Sequence, residues 1–437
     1  MRFLMTMAIL LGVIDAVRAE APTPPPTRPA MKQALEEQKK VKPRLPLPPV
    51  PEKEKAQSGG RRVVNNGRMR ALYLPEELRG SDFFRGRDPA MTLDPTFKTM
   101  LFWIVSRVND CRYCMGHQER KLAVAGLSED RIAALDCAWS NYTPEEQTAF
   151  ALARKLTYEP HALNGKDIEV LRKHYKDLQI LEIVLTVANN NSTNRWTGGL
   201  NITQEDDGSF FAKDERAKSE VLRTFLTPTA DAYKTRRSTT LPAAADWKRP
   251  ALGTRDEAEA ALAACRARRP RLPLVEEDAA RALLPADWPK GPLPQWVRLL
   301  VHFPKSGVAR VVSLRTAQDK GELSPRLKAQ LDWIAARHDR AWYALGHAKR
   351  RLIALGLSEE EIYRLDAPGN SYTAAERAAF NLARKLTVYP PSVGDADIAA
   401  LRKLYGDKQT AELIYRVCNA AFFDRLTEAC GLRLEAK

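Results

Sequence analysis

The sequence predicts an all-α protein made of two tandem helical domains. Three observations carry that expectation. Apolar residues recur at helical spacing in segments bounded by N-caps and glycine stops, and no convincing alternating strand appears. The chain repeats itself after 230 residues. A single Cys-x-x-Cys followed by a histidine opens one of the helices.

Asp94-Pro95 starts a helix that runs through Met100, Leu101, Trp103, Ile104 and Val108. Asn109 and Asp110 are N-cap residue types, so Cys111 is expected to open the next helix, with Cys114 in its first turn. Gly126 stops that helix and Ser128 caps another. Thr143, Pro144 and Glu146 form a capping-box signature ahead of Phe150, Leu152, Ala153 and Leu156. Two further helices are expected from Gly165-Lys166-Asp167 and from Asp177, the last reaching about Asn189.

Residues 111–200 align with 341–430 without a gap, and about 37 of the 90 positions are identical. Gly126-Leu127-Ser128-Glu129 recurs as Gly356-Leu357-Ser358-Glu359, and Ala153-Arg154-Lys155-Leu156-Thr157 recurs as Ala383-Arg384-Lys385-Leu386-Thr387. The expected domains are 73–227 and 291–437, joined by a Pro/Ala/Arg-rich connector at 228–290. At the cysteine site the copies differ. Cys111 and Cys114 align with Ala341 and Ala344, while His117 aligns with His347 and Gly116 with Gly346. The second copy cannot do thiol chemistry there. Its expected work is packing, as the partner in an intramolecular pseudo-dimer, with a homo-oligomer as the alternative.

The first residues carry a positive charge, then an apolar run, then Val17-Arg18-Ala19, which suits cleavage after Ala19. Residues 1–19 therefore read as a signal peptide, and the protein as exported, periplasmic or extracellular, with an uncleaved N-terminal membrane anchor as the alternative. Residues 20–72 hold Pro24-Pro25-Pro26 and Leu45-Pro46-Leu47-Pro48-Pro49 and read as a disordered, extended linker. The formal net charge is +15, but the basic residues are scattered and no run of them is interleaved with aromatics. This composition argues against a nucleic-acid partner.

Chemistry concentrates at residues 109–117. On a helix, positions i, i+3 and i+6 lie near one another, so Cys111, Cys114 and His117 could share a face. The helix N-terminus, Arg112 and His117 all favour a thiolate. The pair reads as redox-active cysteines, an inert disulfide or half a metal site; in an oxidising compartment it would rest oxidised. Three ligands fall short of a structural zinc site, so no metal and no bound cofactor is expected. Cys137, Cys265, Cys418 and Cys430 have no motif and read as small buried apolar residues. Tyr113 and Trp103 recur as Tyr343 and Trp333 and read as core. Asn194-Arg195 reads as a helix-end contact, and Asn189-Asn190-Asn191 as candidates for lining a pocket of the first copy.

The Cys-x-Tyr-Cys stretch with its following His, the amphipathic helix before it and the Gly-Leu-Ser-Glu after it resemble the alkylhydroperoxidase AhpD-like, or carboxymuconolactone decarboxylase, family. The resemblance covers about 90–205 with the cysteines and about 320–432 without them. It implies an oligomer-forming helical core and a thiol-dependent peroxidase or disulfide reductase, with a non-enzymatic assembly or binding protein on the same scaffold as the further alternative. The attacking thiol would be Cys114 and the resolving thiol Cys111, with a hydroperoxide as substrate and an external dithiol as reductant. The chain departs from the family at two places. Gln118 stands where the family carries its histidine, so His117 is the substitute. Thr99 stands where the family carries a glutamate, which leaves Glu119 as a candidate base.

Overall fold

The computed structural model describes residues 23–49, 64–79, 88–205, 224–242, 251–369 and 371–436; the segment read as a signal peptide lies outside them. Among the described residues the fold is helical, with one isolated bridge between Thr27 and Arg237.

In the first copy the helices are α1 (Arg28–Glu37), α2 (Asn65–Tyr73), α3 (Pro95–Val108), α4 (Arg112–Val124), α5 (Glu129–Cys137), α6 (Pro144–Tyr158), α7 (Gly165–Arg172) and α8 (Asp177–Gly199). Their starts follow the sequence signals. The Asp94 side chain accepts from Phe97 N, Ser128 caps α5, and Thr143 with Glu146 closes a capping box on α6. Helix α8 runs ten residues past the end expected at Asn189. Its asparagines do not stop it, because Asn191 and Asn194 satisfy their amides in a buried network with Asn109, Thr157 and Ser106.

The link from α3 to α4 sets the cysteine site. Asp110 is left-handed, with φ of 45°, and donates its N–H to Arg107 O. Cys111 donates its N–H to Ser106 O. This is a Schellman ending with aspartate in place of the usual glycine. It moves the expected helix start, since Cys111 itself is the N-cap and Arg112 the first helical residue. Asn109 and Asp110 close the preceding helix instead.

Beyond the short α9 (Asp231–Lys234) come α10 (Arg255–Arg266), α11 (Glu277–Ala282), α12 (Gln295–Leu300), α13 (Ser306–Asp319), α14 (Pro325–Asp339), α15 (Trp342–Ala354), α16 (Glu359–Tyr363), α17 (Ala374–Val388) and α18 (Asp395–Ala429). Gly406, at φ 73°, breaks α18 into counterparts of α7 and α8. Contacts recur after 230 residues. Arg107 pairs with Asp136 as Arg337 does with Asp366, and Lys155 with Asp167 as Lys385 does with Asp397. Helices α8 and α18 pack against each other at the junction of the copies. Arg195 donates to Thr387 O at 3.2 Å and Arg425 donates to Thr157 O at 2.8 Å, which makes the contact reciprocal.

The linker expected over 20–72 does not hold for its described residues. Helix α1 is docked by Arg28, which is fully buried and bonded to both Glu119 and Glu129. Met31 and Leu35 are fully buried on the same helix, and Tyr73 of α2 reaches Pro46 O. The connector at 228–290 likewise contains α10, whose Leu262 and Cys265 are buried in the second copy. Proline richness marks extended backbone, but buried anchors such as Met31 and Leu262 decide whether that backbone docks.

Candidate active site

Helix α4 opens with the two cysteines, and each is 3 % exposed. Across from them, on α8, the Thr197 hydroxyl lies 3.0 Å from both sulfurs. The surroundings separate the two thiols. Burial pushes Cys114 up, but the Cys111 thiol, Thr197, Asn194 and the Lys121 charge outweigh it, so its pKa falls below the ordinary thiol value. Cys111 is pushed well above that value, by burial first and then by its hydrogen bond to Cys114 and that neighbour's charge. By contrast, burial carries Cys418 and Cys430 to about 12. The site therefore favours one thiolate, at Cys114, beside one protonated thiol. Both sulfurs are free.

His117 is turned toward a residue that sequence reasoning missed. Its Nε2 lies 2.7 Å from Glu205 Oε2. Glu205 also accepts from the Tyr113 hydroxyl at 2.9 Å and from Asn65 N at 2.6 Å. Burial lowers the imidazole pKa by more than Glu205 raises it. Burial also raises the carboxyl, but His117 and the backbone N–H of Asn65 hold it below its usual range. The pair thus stands as a neutral imidazole against a carboxylate. The second copy has the same arrangement, with His347 3.1 Å and Tyr343 2.6 Å from Glu435. Glu205 and Glu435 are themselves 230 residues apart, five beyond the aligned window, and this was the signal that could have found them.

Several sequence expectations change here. Tyr113 is more than core, since its hydroxyl joins the Glu205 cluster. Trp103 is fully buried, and its indole donates to Glu119 at 2.5 Å. Glu119 is thereby committed to Trp103 and Arg28 and is not a free base. The Thr99 hydroxyl donates to Pro95 O within its own helix, and Gln118 donates to Cys114 O. Among the described residues, no group of three or more His, Cys, Asp or Glu could hold a metal.

A cleft of about 220 Å³ opens beside the thiols. Cys111 lines it together with Arg44, Arg112, Asn194 and Thr197, and the second copy contributes Pro390 and Pro391. Asn189, Asn190 and Asn191 are not among its walls; Asn191 is fully buried and holds Asn109, Thr157 and Arg195. Gly116 explains how α4 sits so close to its neighbours. A Cβ there would meet the Gln204 side chain and come within 2.8 Å of Phe225 Cζ.

Residues 75–155, which include the CxxC helix, match the model of the carboxymuconolactone decarboxylase family. The match agrees with the resemblance read from the sequence over this segment and does not extend to the second copy. No curated protein matches the chain.

Proposed function

We propose that the protein is a thiol-dependent peroxidase that reduces hydroperoxides through Cys114 and Cys111, with His117, three residues on along α4 and held by Glu205, handling the proton. The observation that carries this reading is the pair of sulfurs on one threonine hydroxyl, with the pKa of Cys114 lowered and that of Cys111 raised. The Cys114 thiolate attacks the outer peroxide oxygen and the O–O bond breaks. The sulfur is oxidised to a sulfenic acid, and the departing oxygen takes a proton and leaves as water or an alcohol. Cys111 then attacks the sulfenic sulfur, its S–O bond breaks, a disulfide forms and the sulfenic oxygen leaves as water. An external dithiol reduces the disulfide and is itself oxidised.

The Glu205–His117 pair supplies the proton-handling group that Thr99 cannot. A neutral imidazole held by a carboxylate can take up a proton as the thiol ionises and return it to the leaving oxygen. We read the second copy as the internal partner of the first, contributing Pro390 and Pro391 to the cleft wall. We also propose that the chain is exported, with cleavage after Ala19, on the positive charge, apolar run and small residues at its start.

One observation favours a second reading, thiol–disulfide exchange. Cys111, and not Cys114, lines the cleft, where a bulky disulfide would approach. One experiment separates the two readings. The chain from residue 20 onward is supplied with a dithiol, and loss of hydroperoxide is followed for the unmodified protein and for Cys114→Ser and Cys111→Ser. Turnover abolished by Cys114→Ser supports the peroxidase. Absence of turnover in the unmodified protein, with reduction of a model disulfide retained, replaces it with the exchanger.

A further inference from the structure

The second copy carries no thiols at the matching positions, and a cavity of about 350 Å³ opens beside Ala344. Ala344 and His347, the counterparts of Cys114 and His117, lie on its wall. Trp288, Trp296 and Phe423 make its apolar side, with the Trp296 and Phe423 rings 5.6 Å apart and nearly perpendicular. Size and lining suit a small organic molecule.

The polar end is built from residues the first copy does not have. Arg351 and Arg416 share one carboxylate, Asp332, which accepts from both guanidiniums. The matching residues in the first copy are Lys121, Thr186 and Phe102, so the cluster belongs to the second copy alone. Two cations on one anion leave positive charge facing the cavity. Nearby Asp424 offsets it only in part, because burial first, and the neighbouring Asp339 charge next, raise its carboxyl well above the ordinary range.

Among the described residues, several polar atoms around this cavity have no hydrogen-bond partner. Asn419 is 4 % exposed, and neither its amide nitrogen nor its oxygen is hydrogen-bonded. Asp424 is 1 % exposed with an unbonded Oδ2, and Arg351 Nε is buried without an acceptor. Buried polar atoms are rarely left unsatisfied, and here they belong to residues lining one cavity. Arg351 Nε and Asn419 Nδ2 are donors that call for an acceptor on the ligand, while Asn419 Oδ1 is left to accept from water or a ligand donor.

We propose that this cavity is a binding site for a small monoanion with a flat apolar body. Its carboxylate lies against Arg351 and Asn419, and its ring lies among Trp288, Trp296 and Phe423. The site is separate from the thiols, and the proposal does not depend on peroxidase activity.

The test is calorimetric titration of the chain from residue 20 onward with indole-3-acetate and with its neutral isostere, indole-3-acetamide. The expected result is one saturable site for the carboxylate, with the amide weaker by about tenfold or more. Arg351→Gln is expected to weaken the carboxylate by a similar factor, and Ala344→Phe, which fills the cavity, to abolish binding. If Arg351→Gln does not fold, as judged by its helical circular dichroism, Asn419→Leu carries the same expectation through a neutral residue. Equal affinity for the two probes, no heat with either, or full binding by Ala344→Phe would each overturn the proposal.

Discussion

Glu205 Oε2 stands 2.7 Å from His117 Nε2, and the two lie 88 residues apart in the chain. The contact places a carboxylate behind the imidazole of the CxxC helix, on a segment that follows α8. Glu205→Gln keeps the shape and removes the charge. In the proposed reaction its turnover with hydroperoxide falls by about tenfold or more, the low end of what a positioned acid–base group contributes. The check is the pH profile of turnover in the variant against the unmodified protein. Unchanged rate and profile would remove Glu205 from the reaction.

The same pair makes stability depend on pH. The folded pKa of His117 lies below 6.5 and that of Glu205 below 4.5; His347 is lowered likewise, and Glu435 falls to about 2. In each case the unfolded chain binds protons more readily than the folded one. Their contribution is complete above the unfolded pKa and is lost as pH falls through the folded one. The urea midpoint is therefore expected to decline below about pH 6.5, where an unfolded histidine starts to protonate, and more steeply below about pH 4.5. Denaturation from pH 7 to pH 4 checks this. In the double variant His117→Gln, His347→Gln, the decline between pH 6.5 and 5 should flatten.

The Thr197 hydroxyl meets both sulfurs. Thr197→Val is close in shape but removes the donor, so the Cys114 thiolate loses a stabilising hydrogen bond. Alkylation of Cys114 by iodoacetamide at pH 7 should slow by about threefold to tenfold, the effect of roughly 1 kcal/mol. The pH at half-maximal rate should move upward.

Arg28 ties the Pro-rich arm to the body through Glu119 and Glu129. Arg28→Met leaves Glu119 as a buried carboxylate without its cation, and the expected loss is about 3–5 kcal/mol in urea denaturation. Truncation after residue 67 removes α1 and part of α2 and should destabilise the first copy similarly, whereas truncation after residue 22 leaves α1 whole.

Gly116 holds α4 close to the segment that carries Glu205. The Gly116→Ala Cβ overlaps Gln204, which neighbours Glu205, and crowds Phe225. The expected cost is about 1–3 kcal/mol from overpacking. Because displaced Gln204 carries Glu205 with it, turnover should fall further than in a variant of equal stability elsewhere.

What could be read from the sequence was local or periodic. The helix starts at Pro95, Glu129 and Pro144 rest on caps within three residues of them, so a short window contains the cause. The 230-residue repeat and the loss of both thiols in its second copy are plain in the letters. So is the CxxC, because its chemistry needs only a spacing of three on one helix. Tertiary structure alone decided the rest. Arg28 meets Glu119 across 91 residues, Glu205 meets His117 across 88, and the cleft beside Cys111 takes prolines from near residue 390. Proline-rich composition cannot show whether an extended segment will find a buried partner. Nor can identity between the copies show that Arg351, Arg416 and Asp332 converge, because burial and charge pairing become defined only when distant helices pack.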